Sequence, residues 1–136
     1  MRETKFWAKL RPHFMDWGVA DRIENSAGSG MSDVFYNIGG HTGWIETKIA
    51  KGSLLFFEKF QIPWMLKHTR QGGRFFVMAL DRHETICVYR AADVVKAPRR
   101  PEGKWTVVDM TDLETILWMP RPYKLWDELH NILVSS

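Results

Sequence analysis

Two nearly unbroken apolar runs stand close together in the middle of the chain, Phe75-Phe76-Val77-Met78-Ala79-Leu80 and Ile86-Cys87-Val88-Tyr89. Each is short, rich in β-branched and aromatic residues, and bounded by turn-forming segments, Gly72-Gly73 before the first and Asp81-Arg82-His83-Glu84 between them, so both read as strands. A strand with one wet face alternates polar and apolar side chains; these do not alternate, and therefore need cover on both faces. Amphipathic helices supply it. From Thr4 to Trp17, Phe6, Trp7, Leu10, Phe14 and Trp17 recur at three- and four-residue spacing, and from Tyr123 to Val134, Leu125, Trp126, Leu129 and Leu133 form a second stripe. The expected fold is α/β, a central mixed β-sheet flanked by helices.

The remaining elements fit around that sheet. Pro12 is expected to kink the first helix or split it in two, and Gly18 to end it. Val19 to Asn25 reads as a strand with Glu24 near its end, and Ser26 to Met31 as a glycine-bearing connector. Asp33 to Ile38 and Gly43 to Ile49 make a hairpin through Gly39-Gly40-His41-Thr42. Leu54 to Gln71 reads as helical in its later part, with Phe57, Phe60, Trp64, Met65 and His68 near one face. Pro63 is tolerated in a first turn, which puts Gln61 at the helix start. This helix is long enough to cross over and let the strand before it pair in parallel with the strand after it. Beyond Arg90 the pattern suggests a short helix at Asp93 to Ala97, a basic loop from Lys96 to Lys104, a strand at Trp105 to Val108 and a short helix at Leu113 to Met119.

At 136 residues and 45% hydrophobic content the chain suits one domain with a real core, taken as residues 1–136 with a core over about 5–90 and an extension over about 91–136. The net charge of +3 suits an anionic partner. Cys87 is the single cysteine, which excludes an internal disulfide and fits a reducing cytosol. No stretch approaches about eighteen uninterrupted apolar residues, and no signal-peptide core follows the charged start, so a soluble, cytoplasmic protein is expected.

Chemistry concentrates in the hairpin. Side chains alternate along a strand, so Glu46 and Lys48 face one way while Ile45, Thr47 and Ile49 face the other. Asp33 opens the preceding strand. Two carboxylates at short range repel unless a divalent cation lies between them, and magnesium accepts an incomplete shell of one or two carboxylates completed by water and phosphate. A lysine alongside would orient or deprotonate an attacking water and offset charge on a phosphorane. The plainer alternative for each residue alone is a loop-end carboxylate or a solvated pair of opposite charges.

Asp33, twelve intervening residues, then Glu46-Thr47-Lys48 resembles the signature of the PD-(D/E)XK nuclease superfamily, whose fold is a restriction-endonuclease-like core. The surroundings are similar to its Holliday-junction resolvase-like and VRR-NUC-type branch, particularly small phage-encoded members. An upstream acid of that branch is matched by Glu24, and a glutamine on the helix after the lysine strand by Gln61. Ser32 stands where the name-giving proline would be; that proline shapes a turn and ligates nothing. The resemblance implies a catalytic set of Glu24, Asp33, Glu46, Lys48 and Gln61. It also implies Mg2+, with Mn2+ able to substitute, held by Asp33, Glu46, Glu24 and the backbone carbonyl of Thr47. DNA is the implied substrate, branched DNA and a homodimer following from the resolvase analogy. Lys51, Lys59, Lys67, Arg70, Arg99 and Arg100 are candidate phosphate contacts. The rival expectations are a DNA-binding protein that keeps the scaffold without cutting, and an interaction module whose acids are surface charges.

Overall fold

The structure, a computed structural model, describes residues 2–23 and 33–135. The two apolar runs are β5 (Arg74–Leu80) and β6 (Ile86–Arg90), and from Phe75 to Leu80 every side chain is buried. They sit inside a six-stranded sheet with β1 (Val19–Arg22), β2 (Val34–Ile38), β3 (His41–Ile49) and β9 (Leu117–Met119), in the order β1-β2-β3-β5-β6-β9. β3 and β5 run parallel, Glu46 opposite Val77 and Lys48 opposite Ala79; the other neighbours are antiparallel. The expected mixed sheet with a parallel crossover pair is what forms.

Two apolar layers cover this sheet. On one face α1 (Glu3–Trp17) and α4 (Trp126–Val134) lay Phe6, Leu10, Phe14, Leu129 and Leu133 against Val34, Tyr36, Ile45, Met78 and Leu80. On the other, α2 (Gln61–Thr69) and α3 (Ala91–Val94) join β4 (Leu54–Glu58) in burying Leu55, Phe57, Ile62 and Met65 against Val77, Ala79 and Tyr89. The β2–β3 turn is tighter than expected: Ile38 pairs with His41, and Gly39 and Gly40 both have positive φ, 59° and 87°. Two consecutive left-handed residues are the requirement of a two-residue hairpin turn, which glycine meets without strain.

Several sequence expectations are corrected. Pro12 lies within one continuous helix; Pro12 and Ala8 are both exposed, so the carbonyl its missing N–H leaves free faces water. Leu54 to Glu58 is a strand rather than a lead-in to a helix, its burial alternating with period two, and Phe57 therefore does not share a helix face with Trp64 and His68. The basic segment around Arg99 is not a loop. β7 (Arg99–Glu102) and β8 (Trp105–Asp109) extend β4 into a separate three-stranded sheet, order β4-β8-β7, with Pro101 on the edge strand, where a missing N–H costs no ladder bond. Leu113 to Met119 is not helical; Leu117 and Met119 are buried and Trp118 exposed, the alternation of a strand.

Candidate active site

The end of β3 carries Glu46 and Lys48 on the sheet face that β4 and α2 cover, and both are almost fully buried, 2% and 7% exposed. Lys48 Nζ lies 3.4 Å from Glu46 Oε2 and 4.8 Å from the centre of the Phe57 ring on β4. Gln61, the first residue of α2, joins them. Its Nε2 donates to Glu46 Oε2 at 2.8 Å, while its Oε1 accepts from Lys48 Nζ at 2.9 Å and from the Glu58 backbone N–H at 2.8 Å. Pro63 in the first turn of α2 explains why the helix begins here: its N–H would have had no partner within the helix. The glutamine thus locks acid and lysine in one orientation.

Asp33 reaches the same strand at its β2 edge. β2 stops pairing at Val34, opposite Ile45, so the Thr47 N–H has no strand partner there. Asp33 Oδ2 takes its place, accepting from Thr47 N at 3.0 Å and Thr47 Oγ1 at 2.8 Å. The N–H and C=O of one strand residue point to the same edge, so the Thr47 carbonyl faces the Asp33 side as well.

A further acid belongs here that sequence reasoning missed. Glu3, half-buried in the first turn of α1, has its pKa raised by burial, against the pull of Lys48 and with a further push from Asp33. Glu46 is held well above the usual carboxylate range, first by burial; Lys48 opposes the shift, and the charges of Asp33 and Glu3 reinforce it. Three carboxyl groups and one ammonium therefore share one electrostatic neighbourhood. The signal for Glu3 was present in the sequence: it sits three residues before Phe6 on the buried stripe of α1, an acid at the head of an apolar row.

Glu24 lies outside the described residues, as does the glycine segment Ser26 to Met31. Of the candidate phosphate contacts, Lys51 and Lys59 sit over the rings of Phe56 and Phe60, at 5.2 and 5.4 Å. Lys67 and Arg70 are exposed at the end of α2. On β7, Arg99 donates to the Val95 carbonyl and Arg100 pairs with Glu102 at 3.4 Å. His41 contacts Arg74 at the far hairpin turn, and His68 packs on Trp64. Cys87 is buried and its thiol is pushed up to about 11, chiefly by that burial, which leaves it protonated and unreactive at neutral pH. Among the described residues no helix is long and apolar enough to cross a membrane.

The donor set is made of carboxylate oxygens, which suits a hard cation. Among the described residues no three acids, histidines or cysteines stand close enough to cage an ion by themselves, so any ion here would take the rest of its shell from water or substrate, as magnesium does. A cation would also offset the like charges that add to the burial-driven rise of Glu46.

The fold is similar to that of Hjc from Archaeoglobus fulgidus, a Holliday junction resolvase from an archaeal hyperthermophile, with a TM-score of 0.54 and 14% sequence identity, over 80% of this chain and 86% of that chain. At that identity the likeness establishes the architecture, the restriction-endonuclease-like α/β core expected from the sequence. No protein-family model matches the chain, and no curated protein matches it.

Proposed function

We propose that this protein is a metal-dependent DNA nuclease, an endonuclease that hydrolyses phosphodiester bonds in branched DNA. The observation that carries the reading is that Asp33, bonded to Thr47, and the linked Glu46, Lys48 and Gln61 gather at one strand end, in a fold similar to that of a junction resolvase. Fold alone hosts many functions; this convergence supports the chemistry.

Asp33, Glu46 and the Thr47 carbonyl would hold Mg2+ or Mn2+, with Glu24, from beyond the described residues, completing the acid set. When bound, such an ion polarises a phosphoryl oxygen and lowers the pKa of water. The chain's own groups do the rest. Lys48, fixed by Gln61, presents a positive charge where negative charge grows on the phosphoryl group, in a site already arranged before reaction. Burial against Phe57 strips water from the ammonium and strengthens that interaction. Asp33 stays oriented through its two bonds from Thr47 to Oδ2, and among the described residues its other oxygen has no hydrogen-bond partner, so it could face a ligand. A homodimer with two such sites would allow paired cuts at a junction.

The test incubates labelled linear duplex, single-stranded, flap and four-way DNA with magnesium or EDTA, alongside Asp33→Ala and Lys48→Ala. Magnesium-dependent cleavage lost in both variants is the expected result. Binding without cleavage by the parent protein would instead identify a DNA-binding protein on a nuclease scaffold.

A further inference from the structure

The sheet face that carries Glu46 and Lys48 continues past them as a row of aromatic rings. Trp44 precedes Glu46 by two residues on β3, and Phe35 follows Asp33 by two on β2; the two are direct cross-strand partners. Their ring centres are 5.1 Å apart, Trp44 to Trp64 on α2 is 5.0 Å, and Trp64 to His68 is 3.9 Å. Trp44 and Trp64 lean on the second apolar layer, which accounts for their inner edges. Phe35 belongs to neither layer. Beyond it on the same face come Val19, 54% exposed, with Asp21 and Asn37, both exposed. The row thus runs from the acids out onto a part of the sheet that no other described element covers.

Ordinary core packing explains the middle of this row and not its open end. Phe35 is a half-buried aromatic ring, two residues from an acid, at a position beside exposed Val19, Asp21 and Asn37 where a polar residue would serve a solvated sheet better. A second copy of the chain seated on Phe35 and Trp44 would roof the acids and close the site to a polymer. A nucleotide strand lying in the site has no such conflict. Two strand residues span about 6.6 Å, and stacked nucleotides rise about 3.4 Å each, which puts Phe35 and Trp44 within about two nucleotides of the reacting phosphate. The exposed cations Lys67 and Arg70, at the end of the helix that carries His68, give the departing backbone a positive flank.

Building on the nuclease reading above, we propose that Phe35, Trp44, Trp64 and His68 form a stacking platform for unpaired nucleobases next to the cleaved bond. Paired bases hide their faces inside the duplex, so the platform selects DNA that is single-stranded beside the cut: a flap, a gapped strand, or a junction opened at its crossing. Each stacked base adds sequence-independent affinity.

The experiment uses the full chain carrying Asp33→Asn, to prevent cutting, with oligonucleotides that hold 2-aminopurine at successive positions, single-stranded or within duplex. Phe35→Leu retains apolar bulk and removes the ring; His68→Ala removes the far end; Trp118→Ala, on β9 at the opposite sheet edge, is the control. Expected are quenching of 2-aminopurine by the parent in single strands and about a 10-fold loss of single-strand affinity in Phe35→Leu. Duplex affinity should change less than about 2-fold, and Trp118→Ala should match the parent. Unchanged single-strand affinity and quenching in Phe35→Leu and His68→Ala would overturn the platform while leaving cleavage by the unmutated chain intact. Quenching without any cleavage by the unmutated chain would uphold the platform and remove the nuclease reading. A dimer that dissociates in Phe35→Leu, with no nucleic-acid effect, would assign the face to a second copy and overturn the proposal.

Discussion

Replacing Lys48 by methionine removes one charge from a pair that water scarcely reaches. Methionine keeps an unbranched stem against Phe57, and Gln61 stays anchored by the Glu58 N–H and by Glu46 Oε2, so the countercharge is the main loss. Breaking a buried ion pair costs about 3–5 kcal/mol while the remaining charge stays ionised. Glu46 has an escape: its pKa already stands well above the usual range, first through burial, and without the lowering influence of Lys48 it rises further. A carboxyl with a raised folded pKa binds protons better folded than unfolded. That contribution is fully present below the unfolded value of 4.5 and is lost as pH rises through the folded value. The variant should therefore lie close to wild type near pH 5 and fall behind by about 3 kcal/mol at pH 8, a drop of about 10 °C in Tm. Urea denaturation followed by circular dichroism at the two pH values measures this. Adding Glu46→Gln to Lys48→Met should recover most of the loss at pH 8. A deficit of equal size at both pH values, or one untouched by the second substitution, would refute the reasoning.

Three other perturbations test separate parts of the account. Glu3→Gln should lower cleavage by about 10-fold or more while changing stability by less than about 1 kcal/mol; because the Glu3 charge helps to hold Glu46 up, the acid limb of the pH–rate profile should move to lower pH, and a shift to higher pH would contradict the coupling. Gly43→Ala would drive a Cβ into the hydroxyl end of the Tyr36 ring, and Tyr36 is buried with its hydroxyl donating to the Leu133 carbonyl at 2.7 Å; a loss of about 2–3 kcal/mol is expected in thermal melts, and an unchanged melt would show that the ring has room to move. Magnesium at one fixed concentration, 100 times its Kd at pH 8, should stabilise the protein by about 2.7 kcal/mol at that pH. The gain should be greater at pH 8 than at pH 6, because the raised Glu46 must release its proton to bind an ion, and EDTA should abolish it; an effect of the same size in Glu46→Gln would place the ion elsewhere.

The fold was legible where the pattern was locally unambiguous. Continuous burial of Phe75 to Leu80 follows from its composition, and the Glu46/Lys48 facing follows from strand geometry alone. The segments that misled were those whose partners lie far away in sequence. β4 has aromatic residues that fit either period until its pairing with β8 decides the matter, and β7 carries no apolar residue to mark it as a strand. Pro12 reads as a break because a one-dimensional pattern does not show which side of the helix faces water. In the site, the resemblance marked Gln61 and Pro63 placed it at the helix start, whereas its triple bonding to Glu46, Lys48 and Glu58 was not legible, since that depends on β4. Glu3 was not legible in the same way, because the influence of its charge on Glu46 arises from the packing of α1 across the sheet, between residues more than forty apart.

Crystals grown with Mn2+ and measured at the manganese absorption edge test the central claim most directly. An anomalous peak within about 2.5 Å of carboxylate oxygens from both Asp33 and Glu46 is expected, lost in Asp33→Ala. A peak bound to neither residue, or none at a manganese concentration that supports DNA cleavage, would contradict it.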